Sequence, residues 1–142
     1  MATGPNFSTQ ELQCKGRDCG DDGCPINGAT QALVDALEAF RATVGKPVLI
    51  DSAYRCPHHN GSIAVAVQHS QHVLGNAADI RVIGMTGAQL EAVARIIPAI
   101  KGIGRDDFEN YIHIDVREIP AEWSYNQAGA EIAYYSPTTI LT

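Results

Sequence analysis

A chain of 142 residues and 15.2 kDa falls within the span of a single domain, about 50–250 residues, and can bury a real core without covalent staples. Hydrophobic residues make up 45% and charged residues 18% of it, and ten Lys and Arg against sixteen Asp and Glu give a formal charge of -6. This balance excludes a disordered chain and argues against broad binding to nucleic acid or an anionic membrane, either of which needs a cationic face. No apolar run approaches the roughly 18 residues of a membrane span, so no membrane insertion is expected.

In chain order, the N-terminal stretch MATGPNFSTQELQCKG lacks the basic start and apolar centre of a signal peptide. Cys14, Cys19 and Cys24 then follow in or beside KGRDCGDDGCP, a Gly- and Asp-rich run that fits no regular element, and Cys56 comes after the first strand. Four cysteines are too few for a disulfide scaffold. Unpaired thiols, disulfides joining the early loop to Cys56, and a structural zinc held by the four thiolates all stay open. The repeated C-x4-C spacing is looser than that of ordinary zinc knuckles.

Asn27 can cap a helix over about 28–44, where Leu33, Leu37, Phe40 and Val44 recur at helical spacing and Gly45 supplies the stop. VLIDSAY reads as a strand after Lys46-Pro47, and residues 56–76, rich in His, Gly, Ser and Asn, as a long excursion. AADIRVI (77–83) is a second strand. Thr86 and Gln89 form a capping-box pattern ahead of a helix over about 87–97, closed by Pro98. YIHIDV (111–116) is the clearest alternating stretch, and the tail after Pro120 has aromatic residues with weak periodicity. The fold class is α+β, one small domain: residues 1–27 form a cysteine-containing loop segment integral to it, and 28–142 its main body.

Four of the five histidines fall within residues 58–72, and the fifth is His113. His72 and Asp79 are too far apart for one helix face, but a turn at Gly75 can bring both side chains to one point. On the alternating stretch, Tyr111, His113 and Asp115 share one face while Ile112, Ile114 and Val116 share the other. Two imidazoles and a carboxylate suffice for a catalytic zinc, which uses three protein ligands and leaves a position for water. Calcium, which takes oxygen ligands, is disfavoured. Arg55, at the end of SAYR, offers a two-pronged match to a carboxylate; its bland alternative is a surface ion pair. Ser70 can donate to a substrate amide or simply cap a turn.

The runs SAYRCPHHN, SQHVLGNAADI and GIGRDDFENYIHIDVR, together with the opening FSTQELQCKG, resemble the zinc D-alanyl-D-alanine carboxypeptidases and their relatives (peptidase M15), among them the vancomycin-resistance dipeptidases and phage endolysins. The resemblance covers residues 7–117. It implies a hedgehog/DD-peptidase-like fold with an antiparallel sheet and flanking helices, and a Zn2+ held by His72, Asp79 and His113. It also implies a substrate-clamping Arg55, a motif serine at Ser70, and Asp115 orienting a ligand from behind. His69 adjoins the motif, and Asn60 matches a frequent asparagine of local structural role. The implied activity is hydrolysis of peptidoglycan stem peptides, as a D-Ala-D-Ala carboxypeptidase or an endolysin-type endopeptidase.

Two departures qualify the match. Residues 63–67, IAVAV, replace a smaller segment and should reshape the specificity loop. Several relatives place an acidic or histidine base three residues before the last ligand, where this chain has Asn110. An amide cannot take a proton, so Glu109 next door is the expected base. A non-catalytic wall-binding or virion module that keeps the fold is the alternative. A monomer is expected, either phage-encoded and released at lysis or carried on a virion, or bacterial and exported by another route.

Overall fold

The computed structural model describes residues 2–15, 27–56 and 70–133. Cys19, Cys24, His58, His59, Asn60, residues 63–67 and His69 lie outside the described residues, as does the tail from 134.

A short helix, α1 (Thr9–Leu12), is closed by a reciprocal cap in which Glu11 N donates to Ser8 Oγ and Ser8 N donates to Glu11 Oε1. The long helix α2 (Gln31–Val44) turns Leu33, Val34, Leu37 and Phe40 into the core. Its stop is Gly45, at φ 66°, as the sequence predicts. Its start is not Asn27 but Thr30, whose Oγ1 accepts from Leu33 N at 3.2 Å. Asn27 is occupied elsewhere: its amide donates to the Ala2 carbonyl and its oxygen accepts from Ala29 N, so it ties down the N-terminal segment. The third helix, α3 (Gly87–Arg95), carries the expected Thr86–Gln89 capping box and stops two residues short of the predicted end. Ile96 N and Ile97 N already bond in tighter three-residue turns before Pro98.

The strands are β1 (Leu49–Ser52), β2 (Ala77–Arg81), β3 (Gly102–Asp106), β4 (Tyr111–Asp115), β5 (Ala121–Tyr125) and β6 (Glu131–Ala133). They form a six-stranded sheet in the order β1-β2-β4-β3-β5-β6. Every neighbouring pair is antiparallel except β3 and β5, which run parallel. The expected antiparallel sheet is present, made mixed by this one parallel pair. After the β3–β4 hairpin, the chain crosses to the far edge of β3 and adds β5 there.

One face of the sheet is apolar. Ala78, Ile80, Ile103, Ile112 and Ile114 join Phe7, Leu33, Leu37, Phe40 and Leu90 in a single core, so α2 and α3 cover this face. Among the described residues, no helix is long and apolar enough to cross a membrane. The opposite face, freed of core duty, holds the polar residues of β2 and β4.

Candidate metal centre

Strand register brings the first two residues together. Asp79 on β2 lies directly opposite His113 on β4. Ala78 and Ile80 face the core, so by strand alternation Asp79 faces the other way, as does His113 between Ile112 and Ile114. The third residue arrives by the turn at 71–75. Gly75 sits at φ 77°, and its N–H donates to the His72 carbonyl. A Cβ there would stand 1.9 Å from the Gly28 carbonyl oxygen, so only glycine can close this turn. The expected turn at Gly75 does return His72 to Asp79.

The three side chains converge. Asp79 Oδ1 stands 3.2 Å from His72 Nε2 and 3.1 Å from His113 Nδ1. One potential donor atom from each residue can be chosen so that all three lie within 4.8 Å of one another. Each imidazole has its second nitrogen engaged behind the cluster. His72 Nδ1 lies 2.7 Å from the Ala53 carbonyl, and His113 Nε2 lies 2.7 Å from Asp115 Oδ2. A ring nitrogen held by a carbonyl or carboxylate carries the proton and leaves the other lone pair for a cation. Two imidazole nitrogens and one carboxylate oxygen in a buried recess are the donor set of a transition metal such as zinc.

The electrostatics agree with a site built for positive charge. Burial alone would raise the Asp79 pKa, but the two imidazoles outweigh it and hold this carboxyl far below its usual range. Burial would likewise lower the His113 pKa, yet hydrogen bonds to Asp115 and Asp79 raise it to about 9. Asp115, against its own burial, is held low by Arg117 and His113. Tyr111 and Tyr125 are pushed well above the usual phenol range, first by burial and then by the Asp79 charge, and so keep their protons.

The remaining expected residues divide. Arg55 is buried; its Nη2 lies 3.6 Å from Asp79 Oδ2, and its backbone N–H donates to the His72 carbonyl. Ser70 sits at the start of the turn, where its Oγ accepts from His72 N at 3.1 Å, a capping role. Asp115 is fully buried behind His113. Glu109 is exposed in the β3–β4 turn, where its backbone N–H donates to Asp106 Oδ1. No hydrogen bond or ion pair is seen between Glu109 and His72, Asp79 or His113 among the described residues. Asn110, at φ 52°, is the turn's left-handed residue, and its Oδ1 accepts from Gly87 N at the start of α3.

Cys14 and Cys56 come together from opposite ends of a 42-residue separation, both buried, with Cys56 N donating to Cys14 Sγ at 3.4 Å. Two contributors were missed from sequence. Arg117 pairs with Asp115, and Trp123 on β5 lies with its ring centroid 4.9 Å from that of His113. Alternation could not mark Trp123, because only the parallel placement of β5 beside β3 carries it to the site.

The family model described as Peptidase M15 matches residues 5–115, which include every residue of the cluster. No curated protein matches the chain.

Proposed function

Because the chain belongs to the peptidase M15 family, we propose that it is a zinc-dependent peptidase acting on peptidoglycan stem peptides. The observation that carries this reading is the convergence of His72, Asp79 and His113 with the far nitrogen of each imidazole already engaged. When bound, zinc would acidify a water and draw charge from the scissile carbonyl. His72 would offer Nε2, His113 Nδ1 and Asp79 a carboxylate oxygen.

Arg55 lies at the rim of this cluster. With a cation held at Asp79, the Arg55 guanidinium would offer a substrate carboxylate the planar fork that a peptide C-terminus fits. The Ser70 hydroxyl, which accepts from His72 N, still has its own proton to give a substrate amide. Glu109 takes a proton from the attacking water on its carboxylate and returns it to the leaving amine. For this, substrate binding must draw the exposed turn at 107–110 inward.

A second reading has its own support. Asn110 stands in the general-base position, engaged with Gly87, and Glu109 points to solvent. A wall-binding module that keeps the metal but not turnover would look the same. Incubating the zinc-loaded protein with peptidoglycan separates the two. New free amines are expected for the peptidase; retention on the wall without them supports the module. His113→Ala should abolish both stoichiometric zinc and cleavage, and a fully active variant would refute the metal assignment.

A further inference from the structure

Strand β3 is bare at two positions, and side chains of its neighbours occupy the space. A Cβ on Gly102 would fall 2.1 Å from Asp115 Oδ2, and one on Gly104 would fall 2.4 Å from Trp123 Nε1. The register explains both: Gly102 lies opposite Asp115, and Gly104 lies between His113 on one side and Trp123 on the other. Across this glycine floor runs a closed set of contacts. Arg117 grips Asp115 with Nη2 to Oδ2 at 2.6 Å, Nε to Oδ1 at 2.8 Å, and its backbone N–H to Oδ1 at 3.1 Å. Asp115 Oδ2 in turn meets His113 Nε2 at 2.7 Å. The Arg117 guanidinium carbon stands 5.0 Å from the centroid of the Trp123 ring, and that ring abuts His113.

We propose that Arg117 and Trp123 are positioning residues for the metal centre: Arg117 fixes Asp115 and through it holds His113 with Nδ1 turned toward Asp79 and His72, while Trp123 flanks the His113 ring directly. This inference rests on the metal reading above. A carboxylate gripped through one oxygen can rotate about its bond to Cβ, and an imidazole attached to it can follow. A two-pronged guanidinium locks the carboxylate plane, and a lysine ammonium, a single point charge, cannot. The Trp123 ring limits the swing of the imidazole from the side.

The test is zinc affinity, measured on the purified chain by competition with a chromophoric chelator. Outer-shell partners of metal-binding histidines typically contribute about 10–100-fold in affinity, so Arg117→Met should weaken zinc binding by that factor. Arg117→Lys should recover only part of it, and Trp123→Leu should show a smaller loss. The double variant R117M/D115N should bind zinc no more weakly than D115N alone, because Arg117 acts only through Asp115. Trp123 is the chain's single tryptophan, so its fluorescence should change as zinc fills the wild-type site. Wild-type affinity in R117M, or losses that add in the double variant, would overturn the proposal. If R117M does not fold, R117K decides, and full wild-type affinity there overturns it equally. H113A separates the two levels: zinc retained in H113A defeats the metal reading itself, whereas zinc lost in H113A but kept in R117M defeats only the positioning role.

Discussion

At the scale of single residues, His113 carries opposed demands that pH should reveal. In the metal-free protein its pKa is raised to about 9, against about 6.5 in an unfolded chain. A raised folded-state pKa means that its stabilisation is fully present below about pH 6.5 and is lost as pH rises through about 9. Chelator-treated protein should therefore melt at progressively lower temperature between those values. A melting temperature that climbs over the same window would contradict the His113 environment. Zinc affinity should run the other way, rising with pH, because the proton held between His113 and Asp79 must leave before a cation enters. Gly75 is the other decisive single residue. Gly75→Ala combines a left-handed backbone with a Cβ 1.9 Å from the Gly28 carbonyl oxygen, and should cost at least about 1–3 kcal/mol. Denaturant unfolding would measure the loss, and it should come with weaker zinc binding as His72 is displaced.

Between elements, α3 is fastened to the sheet by charge as well as by Leu90. Glu91 is buried on α3, and its carboxylate meets Arg105 of β3 at 2.6 Å and Arg95 at 3.0 Å; Arg95 also reaches Glu122 of β5 at 2.8 Å. Removing the central carboxylate takes from Arg105 its buried partner and leaves it the exposed Asp107, so Glu91→Ala should destabilise by up to about 3 kcal/mol. Glu91→Gln, which retains hydrogen-bonding capacity, should cost less; equal losses in the two variants would show that charge is not what matters here. Helix signals were easy to read because capping is local: Thr86 and Gln89 lie in consecutive sequence and close on each other. Asn27 looks like a cap in sequence, but the partner of its amide, the Ala2 carbonyl, is 25 residues away. Strand β3, GIGRD, was invisible because glycines at 102 and 104 erase the alternation that marks a strand. Those glycines are needed there only because of what crosses over them.

For the whole molecule, the candidate ligands come from three separate places: the turn at 71–75, β2 and β4. A cation bound to all three ties these segments in the folded state and has no comparable site in the unfolded chain. Zinc at about 1,000 times its dissociation constant should stabilise the protein by about 4 kcal/mol. A chelator should reverse this and lower the melting temperature, while H113A should be indifferent to both. A wild-type melting temperature unaffected by zinc would show that the cluster does not take it.

The sequence alone marked His72, Asp79 and His113 as candidate ligands, the helical stretches ending at Gly45 and beginning at Thr86, and the polar face of YIHIDV, because each of these signals is local to its own short run. A cap, a period of two and a histidine crowding are written in neighbouring residues. Only the tertiary structure decided that β5 runs parallel to β3, that Trp123 meets His113, and that Ser70 is engaged with the turn before His72. It also showed Asn110 holding α3, with Glu109 left in solvent. These depend on register and chain crossing between segments far apart in sequence, where no local pattern records the partner. The domain of net charge -6 thus carries its candidate ligands legibly, while Arg117 and Trp123 come beside them only when the sheet is assembled.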